Sequence, residues 1–73
     1  MDLDLPKRLA LWRKRSGLTL QALATAASKT VPISKQTLSL IEVGDQRDIS
    51  LRRLDAVVRV LGTDLVTFLG PLP

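Results

Sequence analysis

Residues 34–44 read SKQTLSLIEVG, and the spacing inside this stretch decides how the chain folds. Leu38 and Ile41 stand three apart, which puts them on one face of an α-helix, while Leu40 falls on another side. Ser34 is a suitable N-cap, and Gly44 suits the helix end because it accepts left-handed backbone geometry. Between the cap and the apolar pair lie Lys35, Gln36 and Thr37, a run of hydrogen-bonding side chains. Two readings follow: an ordinary surface helix, or one whose polar end is presented to something outside the protein.

Working outward, LDLPKRLALWRKRSG predicts a helix over about residues 5–16. Asp4 stands at the N-cap, Pro6 falls in the first turn, Leu5, Leu9 and Trp12 are spaced for one face, and Gly17 ends it. Its last turn holds Arg13, Lys14 and Arg15, which suit the negative end of a helix dipole even without a ligand. GLTLQALATAAS starts a second helix, with Thr19 as N-cap and Leu20, Leu23, Ala24 and Ala27 along one side. Pro32 pushes Val31 toward extended geometry and breaks the pattern before Ser34. GDQRDI reads as a loop. Ser50 then caps a fourth helix with a stripe of Leu51, Leu54, Val57, Val58 and Leu61, ending at Gly62. LVTFL, residues 65–69, fits either a short fifth helix capped by Asp64 or a β-branched strand. The fold expected is all-α, a compact bundle of four to five short helices containing a helix-turn-helix. A single domain spans residues 1–73, with its core over about 5–69 and a tail at 70–73.

Composition narrows the function. The 73 residues include neither Cys nor His, which removes disulfides, thiol nucleophiles, imidazole bases and the usual zinc sites. There is also no Tyr, no glycine-rich phosphate loop and no spaced carboxylate pair, so no enzyme, no metal and no cofactor is expected. No apolar run approaches the roughly 18 residues of a spanning helix, and MDLDLPKR lacks an apolar signal-peptide segment. A soluble, cytoplasmic protein that does not enter a membrane is expected. Residues 1–35 carry seven Lys/Arg against two Asp, giving +5, and residues 36–73 carry four Arg against five acids, giving −1. Such a basic half fits a polyanionic partner, nucleic acid first and an anionic membrane surface second, or else a solvated basic face without a partner.

Three segments, RLALWRKRSGLTLQALA, ISKQTLSLIEVG and ISLRRLDAVVRVLG, together resemble the helix-turn-helix domains of the lambda repressor/Cro type, also called XRE-like. The likeness runs from about Leu9 to Leu69. It implies that the third helix lies in the DNA major groove with Leu38 and Ile41 as its anchor. Base-reading would then fall to Lys35 on guanine, Gln36 on adenine, Ser39, and Leu40 against a thymine methyl. For Leu40 a lateral core contact and a dimer contact remain open. Phosphate contacts implied by the resemblance are Thr19, Gln21, Ser34, Thr37, Arg47 and Arg52, with Lys14, Lys29, Arg53 and the amides behind Ser50 as further candidates. Glu42 would repel phosphate, but the family pairs a Glu at this place with an Arg of the first helix, here Arg13. The implied Arg13–Glu42 pair is structural.

Two departures accompany the likeness. The family's phosphate-binding Gln at the start of the second helix is replaced by Leu20, with Gln21 about 100° further around. The turn between the motif helices is about four residues longer than usual and has no glycine. The function implied is a sequence-specific regulator of double-stranded DNA, a repressor acting as a homodimer on a palindromic operator. The alternative is an antitoxin that binds a toxin protein, autoregulates its operon and dimerises through a strand at 64–69.

Overall fold

The computed structural model describes residues 4–46 and 48–71. Five helices follow in order: α1 (Leu5–Arg15), α2 (Leu20–Ala27), α3 (Lys35–Val43), α4 (Leu51–Val60) and α5 (Leu65–Leu69). Helix α2 packs on α3 and α4, α1 packs on α3 and α5, and α5 closes the far side against α4. The buried Ala24 and Ala27 of α2 give its two neighbours room to approach. Around them lie Leu9, Leu23, Leu38, Ile41, Leu54, Val57, Val58, Leu61 and Phe68, so the core is almost wholly aliphatic. Its one aromatic contact sets Phe68 against the half-buried Trp12, with ring centroids 6.4 Å apart. Arg15 covers the Trp12 ring, its guanidinium carbon 5.1 Å from the centroid.

Local capping explains most boundaries. The side chains of Thr19, Ser34, Ser50 and Asp64 each accept from the backbone N–H three residues on. At the end of α3, Gly44 takes φ +87°, and Asp45 N–H and Gly44 N–H donate to the carbonyls of Leu40 and Ile41, closing the helix. Asp4 is different from its expected part. It adopts φ 51° and makes no side-chain cap bond, while Pro6 in the first turn has no N–H to offer. Leu51 also leaves the expected stripe: it is 69% exposed in the first turn of α4, and the half-buried Ile49 packs against the core beside it. Residues 65–69 are helical, not a strand, because the Asp64 cap starts a turn that buries Phe68 completely. The strand invoked for antitoxin-like dimerisation is therefore not formed. Arg8 fixes this last helix from the other end of the chain, its Nη1 donating to the carbonyls of Phe68 and Gly70. Those are orphan helix-end acceptors that would otherwise need water.

The Asp64 cap gives the fold an acid-sensitive end. The Thr67 backbone N–H, 2.8 Å from Oδ1, pulls the carboxyl below its ordinary 3.8, helped by the Thr67 side chain and the charge of Arg59. A folded-state value below the unfolded one contributes stability that is present above about pH 4 and is lost as pH falls through the folded value. Melting curves across pH 5 to 2 should show a steeper acid loss for the wild type than for Asp64→Asn, which keeps the cap oxygen but cannot titrate. Parallel acid losses would remove Asp64 from the account.

Candidate nucleic-acid interface

Helix α3 divides sharply around its axis. Leu38 and Ile41 are buried, whereas Lys35 and Gln36 at the N-terminal end are exposed and make no side-chain hydrogen bond to another described residue. Ser34 Oγ accepts from the Thr37 N–H at 3.1 Å and lies 3.0 Å from Thr37 Oγ1. These two hydroxyls hold the helix start and leave Lys35 and Gln36 as its unengaged polar groups. Ser39 is half-buried, and Leu40, at 42% exposure, is not a core residue.

Helix α2 supplies the adjoining wall. Thr19 is exposed but its Oγ1 is used by the Ala22 N–H, and Gln21 Nε2 donates to Thr25 Oγ1 at 3.1 Å on the outer face. Leu20, where the family has Gln, packs half-buried against the core, which accounts for that departure. A groove of about 430 Å³ gathers Gln21, Thr25, Ser28, Ser34, Lys35 and Gln36. Four of the candidate DNA contacts thus share one surface. A second, wider groove on the other side of the α3 start holds Thr37, Ser50 and Arg53, but also Asp48, whose carboxylate opposes a bound anion. Arg52 is exposed on the first turn of α4 and lines neither groove, as do Ser39 and Leu40. Lys14 and Lys29 are exposed. Arg47 lies outside the described residues.

The long turn is closed on itself. Ser28 Oγ donates to the Ile33 carbonyl at 2.7 Å and receives the Ile33 N–H at 3.2 Å, so the two ends of the excursion are clipped together. Ile33 is buried just before the Ser34 cap, and Leu38 lies in the same core. These are the positions of a hydrophobic staple, which sets the angle at which the chain enters a helix. Lys29, Thr30 and Pro32 are exposed, Val31 packs half-buried against the core, and the Thr30 and Val31 N–H groups both donate to the Ala27 carbonyl, so α3 begins close to the end of α2. Neither the clip nor the Arg53 contact described below carries a sequence signal beyond the general habit of Ser to bond nearby backbone.

Glu42, at the other end of α3, is matched by Arg13. Arg13 Nε donates to Oε2 at 2.6 Å and Nη2 to Oε1 at 3.1 Å, a two-pronged contact, while Nη1 donates to the Leu18 carbonyl at 2.9 Å. Hydrogen bonding to Glu42 holds the Arg13 pKa above its already high ordinary value, so Arg13 remains a cation beside the Glu42 carboxylate. The neutralised Glu42 presents no bare charge to a phosphate backbone.

A capped helix anchored on one face, offering free polar side chains at its N-terminal end and leaning on a second helix across a clipped turn, defines a helix-turn-helix DNA-binding domain. The sequence matches the helix-turn-helix family over residues 9–68, and the chain belongs to that family, of the lambda repressor or XRE type. Members are DNA-binding transcription regulators rather than enzymes, and this chain is a transcription regulator that binds double-stranded DNA. No curated protein and no solved structure matches the chain significantly. Among the described residues no helix is long and apolar enough to cross a membrane, and no cluster of acidic residues is placed to hold a metal ion.

Proposed function

We propose that the protein is a cytoplasmic repressor that binds a palindromic operator as a homodimer, reading bases through Lys35 and Gln36. The observation that carries this reading is the shared groove of Gln21, Ser34, Lys35 and Gln36, with its two free side chains at the capped end of α3. Lys35 has the donors for guanine O6/N7 and Gln36 the donor–acceptor pair for adenine. Ser34 and Gln21 share their groove, and together with Thr37, Thr19, Arg52 and Arg47 they are assigned to phosphate contacts by the family likeness. The described residues extend 28 Å along their longest principal axis, less than the roughly 34 Å between successive major grooves on one face of DNA, so one protomer covers one half-site. Two-fold pairing then supplies the second half-site. Repression needs nothing further than occupancy of a site overlapping a promoter.

Selection from randomised duplexes, followed by titration of the preferred sequence, tests the reading. A palindromic preference is expected, with affinity falling steeply as salt rises because neutralised phosphates release counterions. Gln36→Ala should weaken binding by about 1–3 kcal/mol per half-site and relax preference at one base pair, with an unchanged melting temperature. A variant with unaltered affinity and unaltered preference would refute the assignment of Gln36 and leave the fold standing.

A further inference from the structure

We propose that Arg53 is a positioning residue for base recognition, acting through the Pro32 carbonyl to set where α3 begins and without contacting DNA itself. This rests on the reading of α3 as the base-reading helix. Arg53 is a cation near the start of α3, and from its charge alone it suits a phosphate contact. Its geometry points elsewhere. Nε donates to the Pro32 carbonyl at 3.1 Å, across 21 residues of sequence. The Arg53 backbone N–H is held in turn by the Ser50 cap at 3.2 Å, so the residue is fixed at both ends. Helix α4, on which it stands, is packed against α2 and α5.

The acceptor is well chosen for transmitting position. Proline fixes its own φ near −65°, which limits the directions its carbonyl can take. Ile33 follows, clipped to Ser28 and buried in the core, and Ser34 then caps α3. Arg53 therefore braces the outside of the excursion while Ser28 braces the inside, and the residues between them place Lys35 and Gln36. A hydrogen bond that fixes a helix start affects discrimination between bases more than total charge, because a base-edge contact depends on alignment and a phosphate contact tolerates sliding.

The chemistry of the side chain supplies a clean test. Gln carries its amide nitrogen the same number of bonds from Cα as Arg carries Nε, so Arg53→Gln keeps a donor at the Pro32 carbonyl and removes the charge. Arg53→Lys keeps the charge and puts a methylene where Nε was. The experiment measures, for wild type, Arg53→Ala, Arg53→Gln and Arg53→Lys, the affinity ratio between the preferred duplex and one altered at a base pair contacted by α3. Amide chemical shifts of Ile33 and Lys35 are recorded in the free proteins. The expected result is a loss of discrimination in the Ala and Lys variants of roughly 2- to 30-fold, the range for residues acting through another element. Discrimination should be retained in the Gln variant, and the amide shifts should move in the same two variants only. Affinity lowered equally for both duplexes in the Ala and Gln variants and restored by Lys identifies a phosphate contact and overturns the proposal, as does unchanged discrimination in all variants or failure of both Gln and Lys. If the wild type itself prefers no sequence, the base-reading assignment fails. The proposal falls with it, while the amide shifts still report whether the Arg53 tie holds in solution.

Discussion

Leu38→Ala is expected to bring the domain close to unfolding. Leu38 is 0% exposed at the centre of α3, where the inner face of that helix meets the core. Removing a buried leucine side chain costs about 2–5 kcal/mol, transfer and cavity together. A domain of 73 residues has roughly 4–11 kcal/mol of stability in all. At about 4–8 °C per kcal/mol for a domain of this size, the melting temperature should fall by at least about 8 °C. DNA affinity should fall in parallel with the folded fraction, while whatever remains folded keeps the wild-type base preference. The contrast with Gln36→Ala, two positions earlier and on the outer face, is the useful part: that change alters preference and spares the melt. A Leu38→Ala protein melting within a degree or two of wild type would mean that α3 is not anchored as described.

The second large effect belongs to the Arg13–Glu42 pair. Its side chains are 18% and 13% exposed, so the pair is shielded from solvent without being fully buried. Breaking a fully buried pair costs roughly 3–5 kcal/mol because one charge is left without compensation. With the remaining exposure, about 2–3 kcal/mol is expected for Glu42→Ala. Arg13→Ala should cost as much or more, since Arg13 also satisfies the Leu18 carbonyl and leaves Glu42 next to the negative end of α3. Denaturant unfolding of the two single variants and the double variant should show the double costing less than the sum, by at least about 0.5 kcal/mol. Strictly additive losses would mean that the two side chains stabilise the domain independently.

What the sequence disclosed and what it withheld divide along a physical line. The caps at Thr19, Ser34, Ser50 and Asp64 were legible because capping is a three-residue affair between a side chain and its own chain. Asp4 obeyed the same pattern yet makes no side-chain cap bond, because its backbone takes a left-handed φ of 51° where the other four caps are extended, a difference residue type alone did not reveal. The apolar stripe of α4 was right in its period and one position too long, because periodicity does not say where a neighbouring surface ends. The choice between strand and helix at residues 65–69 needed the burial of Phe68, which depends on α1 and α4 arriving at the same place. At the interface, the pairing of Arg13 with Glu42 was legible only through family resemblance. The ties from Arg8, Ser28 and Arg53 were not legible at all. Each ends on a backbone carbonyl, and every residue has one, so the partner's identity leaves no mark in the sequence.

The clip between Ser28 and Ile33 has a consequence for how this chain tolerates change in length. A loop whose ends are already joined costs entropy only as the logarithm of its contour, about 0.6 kcal/mol for each doubling. The two anchor points, five residues apart in sequence, meet through a single hydroxyl. Chain inserted between Lys29 and Thr30 lengthens the turn at the expense of the Thr30 and Val31 bonds to the Ala27 carbonyl, while the clip keeps Pro32, Ile33 and the start of α3 in place. In evolutionary terms, the length of the turn and the reading direction of the recognition helix are uncoupled here, so one can drift while selection holds the other.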